Sequence, residues 1–549
     1  MKKTSPTGTL GILLIKPSHY DDDGYVIRWW RSFIPSHTLS VFWGILDDAS
    51  ERQILGENVK FKITCIDETS EKVNPKKRIK DFAGCDRIIV MLCAVQTSQF
   101  PRAVDLAREF KQLGCDVAIG GFHVSGTMAL TPTWPLGRLQ ATQDEGITLF
   151  AGELENGIDT LLCDAWQGTL KSLYDYSGDL PDISNAPMPK VMPLKQHRTV
   201  KPIHGVDTSR GCPFKCSFCS IINVAGNTMR ARGHEAIEQY LRDCADAGMR
   251  RFYFADDNFT RLKSWSEVLD IFIKVQEEKN VTFDLFMQID TRANRIPGFV
   301  EKSARAGVRQ VFIGIESVRD EGLKSVGKKH NKVKDMHDMV MDWHKAGILV
   351  MGLFICGFNN DTPETLEEDI RFLQHEAPID FLVLFMMTAM PGSKDHQHVV
   401  EDGLELDPDL NNYDGAHAVM AHPNMSASQW KDAYWKMNDT FYSPSHFQTI
   451  LEHGLEHKLP LSELIPGVFS FYVIVRFERM HPFFGGILRR KSRDERRPHL
   501  SKEPFFKFHR ERLWKLLKTQ SRIAGFYIYI FWLLLRAKIA VTKRKRKTA

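Results

Sequence analysis

Three cysteines, Cys212, Cys216 and Cys219, sit in the stretch "GCPFKCSFCSIINVAG" at intervals of four and three residues. Thiolates are the ligands of iron–sulfur clusters and of zinc, and one short loop carrying three of them can hold three corners of a cubane cluster. The segment has no fourth cysteine. Three readings meet that count. Three unrelated buried thiols would need an apolar setting, which Gly211, Pro213 and Lys215 do not make. A structural zinc site would have to recruit His204 or a distant ligand. A four-iron, four-sulfur cluster would leave one iron open, and an open metal position is where a substrate or cofactor coordinates.

The elements that must position this loop read as α/β throughout. Over residues 1–195, the runs "GTLGILLIKPS", "VKFKITCID", "DRIIVMLCAV", "CDVAIGGFHVSG" and "ITLFAGELE" read as strands. "IPSHTLSVFWGILDDASE" and "RAVDLAREFKQLG" read as helices between them. That alternation predicts a doubly wound parallel sheet. Such sheets bind ligands in the loops at the carboxyl ends of their strands, here "KPSHYDDDG", "AVQTSQFPR" and "GGFHVSG". A second series spans residues 196–410. It starts with a strand at "HGVDTSRG" and continues with "RRFYFADDNF", "VTFDLFMQIDT", "VRQVFIGIES", "ILVMGLFICGF" and "DFLVLFMMTAMPG", each followed by a helical stretch. Six βα units are too few for a closed eight-stranded barrel. They predict a partial barrel with the cysteine loop after its first strand. Residues 411–500 lose the strand signal and read as helical, and residues 501–549 become aromatic and basic.

A chain of 549 residues, 43% hydrophobic, is long enough for about three domains and is neither disordered nor fibrous. Ten cysteines are sparse at this length, and single ones in apolar runs such as "FKITCID" and "IIVMLCAV" suit a reducing compartment rather than a disulfide framework. The N-terminal "LGILLI" runs into polar, acidic sequence without a small-residue cleavage site, and reads as a buried strand of a cytoplasmic protein. Net charge is +5, and the last fourteen residues, "RAKIAVTKRKRKTA", carry seven cations and no acid. The rest of the chain is therefore about −2, and the basic character belongs to the tail.

The C-x3-C-x2-C spacing, with aromatic Phe218 before the third cysteine and a six-unit βα barrel around it, resembles the radical S-adenosylmethionine (SAM) superfamily. The resemblance implies that Cys212, Cys216 and Cys219 ligate three irons of a 4Fe-4S cluster. The amino and carboxylate groups of SAM chelate the fourth, and an electron from the cluster splits SAM into methionine and a deoxyadenosyl radical. The electron would come from a reductant such as flavodoxin or ferredoxin. Carried along the barrel, the resemblance makes Asp256, Asp257 and Asn258 of "FADDNF" contacts of the methionine end of SAM. Read from the residues alone, the alternative is a helix N-cap cluster before the next helix. Glu316 and Ser317 of "GIES" match contacts of the ribose or amino group. "LFICGFNNDTPET" stands where the family has an adenine-contacting "IGxPGET", keeping Gly357 and Thr362 but placing Asn359 and Asn360 where proline and glycine are usual.

The N-terminal unit looks like the cobalamin-binding domain that precedes such barrels in one large subgroup, over nearly residues 10–425. That resemblance implies cobalamin at the loops carrying Gln96, Gly120 and Gly121. The D-x-H-x-x-G motif that supplies a lower cobalt ligand in some cobalamin proteins is absent. A structural domain without cobalamin therefore stays open, and His123 reads as a loop histidine.

In the tail, Ile523 to Leu535 ("IAGFYIYIFWLLL") holds thirteen uncharged residues before the basic run. As a helix it is about 20 Å long, short of the roughly 30 Å hydrocarbon core. Three readings remain: a transmembrane helix, a core or interface helix, and a helix on an anionic membrane surface. Nucleic acid fits poorly, because the charge sits on a terminal tail rather than a folded face. The expected function is a cobalamin-dependent radical SAM enzyme that methylates or rearranges an unactivated carbon of a small-molecule or lipid substrate. The alternatives are a cobalamin-independent radical enzyme acting on RNA or a peptide, and a non-catalytic iron–sulfur protein on a membrane.

Overall fold

The computed structural model describes residues 7–131, 136–191 and 198–548. The expected boundary between residues 195 and 196 lies outside them. The strands in chain order are β1 (Thr7–Lys16), β2 (Trp29–Ser32), β3 (Asn58–Asp67), β4 (Arg87–Leu92), β5 (Asp116–Gly120), β6 (Thr148–Ala151), β7 (Leu173–Asp175), β8 (His204–Val206), β9 (Ser209–Arg210), β10 (Arg230–Ala231), β11 (Arg251–Phe254), β12 (Asp284–Ile289), β13 (Val308–Glu316), β14 (Leu349–Cys356), β15 (Phe381–Met386) and β16 (Gly486–Arg489).

The first sheet has the order β3-β1-β4-β5-β6-β7, with every pairing parallel. Leu10 to Ile15 in β1 are all buried, as a strand flanked on both sides and covered on both faces requires. Helix α1 (His37–Glu51) starts where the Ser36 hydroxyl accepts the Leu39 N–H at 3.4 Å, and it packs Leu39, Val41, Ile45 and Leu46 into the core of this sheet. Helix α2 (Phe100–Gln112) has a proline in its first turn and buries Phe100, Ala103, Leu106, Ala107 and Phe110. The strand order reverses between β1 and β4, the switch point at which open α/β sheets leave a crevice at their carboxyl ends.

The second sheet is also six-stranded, in the order β8-β11-β12-β13-β14-β15, which matches the six βα units read from the sequence. Its strands are short apolar runs, such as "FLVLFM" in β15, where five of six residues are buried. The chain forms two compact units. The first comprises Met1–Asp257, Ala389–Tyr413 and Gly486–Ser501, and the second Asn258–Thr388, Asp414–Gly485 and Lys502–Ala549.

Four features depart from the sequence reading. "GGFHVSG" is not a loop: β5 stops at Gly120 and helix α3 (Phe122–Leu130) begins at once. His123 is consequently no loop histidine but fully buried in the first turn of α3, its ring 4.4 Å from that of Phe100. A sixth strand, β7, extends the first sheet, and β16 pairs antiparallel with β2 inside the region read as helical. Helices α4 (Ala427–Phe441), α5 (Pro444–Glu456) and α6 (Leu461–Tyr472) fill the rest of that region, and the tail is one helix of 44 residues, α7 (Phe505–Thr548).

Candidate functional site

The cysteine loop follows β8 and β9 and is held at its start by two carboxylates after β11, Asp256 buried and Asp257 half-buried. Asp256 accepts from Thr208 N at 3.0 Å, Thr208 Oγ1 at 2.7 Å and Ser209 Oγ at 2.5 Å. Asp257 accepts from Gly211 N at 2.7 Å, next to the first cysteine. The Cys212 N–H donates to Gly226 O, and the Cys219 N–H to Cys216 O. Burial pushes Asp256 up to about 7, against the hydrogen bonds from Ser209 and Thr208, and pushes Asp257 up to about 6. Both carboxylates thus organise the loop backbone, and neither caps the next long helix, whose N-cap is Ser264.

None of the ten cysteines is in a disulfide. Burial pushes the Cys219 thiol up to about 12, and Cys216 and Cys212 push it the same way. Cys212 and Cys216 are therefore both within electrostatic reach of Cys219. Among the described residues no group of three or more His, Cys, Asp or Glu side chains converges as a single metal ion requires. A cubane makes a different demand, because each ligand sulfur binds a separate iron. The loop's donor set fits three corners of such a cluster. Phe218 is half-buried in the same loop.

Within the first unit, a cavity of about 330 Å³ is lined by residues from the carboxyl ends of both sheets. Ala94 and Gln96 follow β4, Gly120, Gly121 and Phe122 follow β5, and Glu153 and Glu155 follow β6. Asp207 and Arg210 follow β8, Ala255 and Asp257 follow β11, and Val224 and Ala225 close the cysteine loop. Residues singled out separately in the first sheet and after β11 thus share one cavity. The "KPSHYDDDG" loop is not among its lining residues. That loop is tied down by Tyr20, whose hydroxyl donates to Asp105 at 2.7 Å and whose backbone N–H donates to Asn411 at 2.9 Å.

Gly121 has φ +145°, and a Cβ there would lie 2.2 Å from Val95 N, so only glycine lets β5 turn directly into α3 at the cavity wall. The lining mixes apolar residues, among them Val41, Phe42, Leu92 and Phe150, with charged ones. Among the charged residues, Arg210 reaches Glu153 at 2.6 Å, Glu155 at 2.8 Å and Asp207 at 3.1 Å. Against the cost of burial, Arg232, His37 and Arg210 hold Asp207 well below the usual carboxylate range. A lining that carries both apolar and charged residues suits a macrocycle with polar side chains. His37 is the one histidine in the lining, and its Nε2 faces Asp207 at 3.3 Å.

The second unit carries the remaining residues singled out. The Asn258 amide donates to Asp290 at 3.3 Å, and Asp290 is held below the usual range, against burial, chiefly by Arg261 at 2.7 Å. Glu316 ends β13 at φ +64°, where its carboxylate meets Lys328 Nζ at 2.5 Å. The Ser317 hydroxyl accepts the Arg319 N–H at 3.1 Å. Gly357 follows β14 at φ +108°, with Trp430 of α4 packed where a side chain would go.

The Asn359 and Asn360 departure has a local explanation. Asp361 accepts the N–H groups of Gly357 at 2.7 Å and Phe358 at 2.9 Å and closes the turn, and Thr362 caps the helix that follows. His422 Nε2 meets Phe358 O at 3.0 Å. Sequence reasoning missed Arg210, Lys328, Asp361, Trp430 and His422. Arg210 had a signal in abutting Gly211, whereas Trp430 reaches Gly357 from 73 residues away with none.

Residues 206–373 match the radical SAM superfamily. The chain carries a radical SAM domain, and with it the class of enzyme that this domain defines. It is 26% identical over 395 residues to the bacteriochlorophyllide d C-12(1)-methyltransferase of Chlorobaculum tepidum, covering 70% of this chain and 80% of that one. It is 24% identical over 406 residues to the hopanoid C-2 methylase of Rhodopseudomonas palustris, covering 73% and 70%. The radical SAM methyltransferase TsrM from Kitasatospora setae, solved with cobalamin and a 4Fe-4S cluster bound, shares the fold with a TM-score of 0.56 at 14% identity, covering 85% of this chain and 99% of that one.

Proposed function

We propose that this chain is a cobalamin-dependent radical SAM methyltransferase, acting on an unactivated carbon of a lipid or secondary-metabolite substrate. The observation that carries the proposal is one shared cavity in the first unit, lined from the first sheet by Gln96, Gly120 and Gly121 and from the second by Asp207, Arg210 and Asp257. The activities of the two relatives, a bacteriochlorophyllide d C-12(1)-methyltransferase and a hopanoid C-2 methylase, support the same class. When bound, the cluster and SAM supply a radical that removes a substrate hydrogen, and cobalamin supplies the methyl group.

The chain's own residues then have distinct tasks. Cys212, Cys216 and Cys219 hold the cluster, and Asp256 and Asp257 hold the loop that presents them. Phe218, Asn258, Glu316, Ser317 and Gly357 form the SAM side, with Lys328 balancing the Glu316 charge. Gln96, Gly120 and Gly121 would hold cobalamin, with residues 1–195 as the cobalamin-binding domain. A reductant of flavodoxin or ferredoxin type delivers the electron, and the protein works on the cytoplasmic face of a membrane as a peripheral enzyme.

The test is chromatography of nucleoside products from reduced, cluster-loaded protein with and without cobalamin. A lipid-extract or chlorin substrate pool should give both S-adenosylhomocysteine and deoxyadenosine, and only when cobalamin is present. Deoxyadenosine alone, indifferent to cobalamin in a protein that retains no corrinoid, would return the first sheet to a structural role. The Cys216→Ala protein should lose cluster iron and form neither product.

A further inference from the structure

Helix α7 has two apolar faces, and its own unit uses only one. Phe526, Ile530, Leu533, Ala537 and Val541, spaced four, three, four and four residues apart, are all buried. Phe526 stacks on Tyr472 of α6 with ring centroids 3.7 Å apart and lies 6.0 Å from Phe447 of α5. At 100° per residue, Leu517, Ile528, Phe531, Leu535 and Ile539 fall on the opposite side. They are exposed, Ile528 and Phe531 to 73% each, and Trp514 and Trp532 flank them. Only 22% of the most apolar eighteen-residue window is buried, so α7 is not a core helix.

Charge follows a second pattern. Residues 505–548 carry thirteen lysines and arginines against the single Glu511, and none of the thirteen lies between Ile523 and Leu535. The cations gather at both ends of the apolar stripe: Lys515, Lys518 and Arg522 before it, and Arg536, Lys538 and the run from Lys543 after it. Arg536 lies 4.5 Å over the Trp532 ring, and Arg544 is spent on Glu452 and Glu456 of α5. An apolar, tryptophan-flanked stripe bracketed by lysine and arginine is complementary to the headgroup boundary of an anionic bilayer. A spanning orientation is disfavoured on two counts. The uncharged run is about 20 Å long against a hydrocarbon core of roughly 30 Å, and spanning would strip Phe526 from Tyr472.

Resting on the membrane reading above, we propose that α7 docks lengthwise in the plane of an anionic bilayer. Its Leu517-to-Ile539 stripe inserts at headgroup depth while its opposite face stays packed on α5 and α6.

The experiment is cosedimentation of the full-length, cluster-loaded protein with vesicles of phosphatidylcholine alone and of phosphatidylcholine mixed with phosphatidylglycerol. Iron content serves as the check on folding. Binding should require phosphatidylglycerol and weaken about fivefold for each of Lys543→Gln, Lys545→Gln and Arg546→Gln. Phe531→Glu should weaken it about tenfold or more with iron unchanged. Vesicle-bound protein should be released by alkaline carbonate, and brominated lipid should quench tryptophan fluorescence less in the Trp514→Phe/Trp532→Phe protein.

Resistance to carbonate would overturn the proposal in favour of a spanning helix. A dimer in vesicle-free sedimentation that Phe531→Glu abolishes, without vesicle binding, would overturn it in favour of a second copy of the chain. Absence of both binding and dimer would overturn it outright. None of these measurements uses turnover, so they fail independently of the methyltransferase reading.

Discussion

Gly357→Ala tests whether Trp430 sets the geometry of the loop after β14. At φ +108° a non-glycine residue is strained by about 1–3 kcal/mol. The new Cβ would also lie 2.0 Å from Trp430 Cζ2 and 2.6 Å from its Nε1, so the indole must move. Moving it breaks the bond that Nε1 donates to Cys356 O at 3.2 Å and leaves that carbonyl buried without it, which costs about 1–3 kcal/mol more. The expected loss is therefore about 2–6 kcal/mol, a large share of the stability of an ordinary domain.

Strain and clash separate in a double-mutant cycle. Trp430→Ala removes the clash but not the strain, so Gly357→Ala should cost less in the Trp430→Ala background, with a coupling of about 1–3 kcal/mol. Urea unfolding followed by far-ultraviolet circular dichroism on the four proteins gives the cycle. Additive effects, or a Gly357→Ala protein as stable as the parent, would refute the argument.

Lys328→Met should destabilise by about 3–5 kcal/mol, because it leaves the Glu316 carboxylate in a largely buried place without its cation; adding Glu316→Gln should recover part of that loss, and no recovery in denaturant titrations would contradict the pairing. Burial pushes His446 down to about 3, so the native protein stays unprotonated where the unfolded chain takes a proton near 6.5. Its contribution is present above 6.5 and drains away as pH falls toward 3, by up to about 1.4 kcal/mol per pH unit. His446→Phe, beside the Phe441 ring, should make the acid limb of the stability profile shallower by about one proton, and an unchanged limb would remove this histidine from the explanation. Gly121→Ala, which drives a Cβ into the Val95 backbone, should lower retained corrinoid while leaving cluster iron intact; equal corrinoid in variant and parent would argue against the cavity floor.

Both sheets were readable in the sequence because their strands are near-continuous apolar runs separated by helical periodicity, as in β1, β4 and β14. The cysteine loop was readable because its three cysteines lie within eight residues of one another. The start of α3 was not. Its N-cap is Gly121 without a side-chain cap, so the usual serine, threonine or aspartate marker is missing, and glycines that look like a loop open a helix. Lys328 and Trp430 were invisible for another reason: each acts on a partner that only the folded topology brings near. In the tail, the thirteen-residue apolar run was plain, but the division of α7 into a packed face and an outward face depends on which neighbours cover it.

The first unit is stitched from three separated stretches of chain, and its antiparallel ribbon joins Ser32 to Gly486, a separation of 454 residues. At a synthesis rate of about 5–20 residues per second, β2 waits roughly 25–90 s on the ribosome before its partner strand exists. The loop of Cys212, Cys216 and Cys219 is translated during that wait, and so is the Met390–Ser393 turn against which it later rests through the Asn223 amide and Gly392 O. A nascent chain therefore holds all three thiols in an unfinished unit for a sizeable part of its own synthesis. If these thiols hold the proposed cluster, iron–sulfur assembly has that interval to reach them before the unit closes. Slowing translation downstream of residue 219 should accordingly raise the fraction of chains recovered with iron.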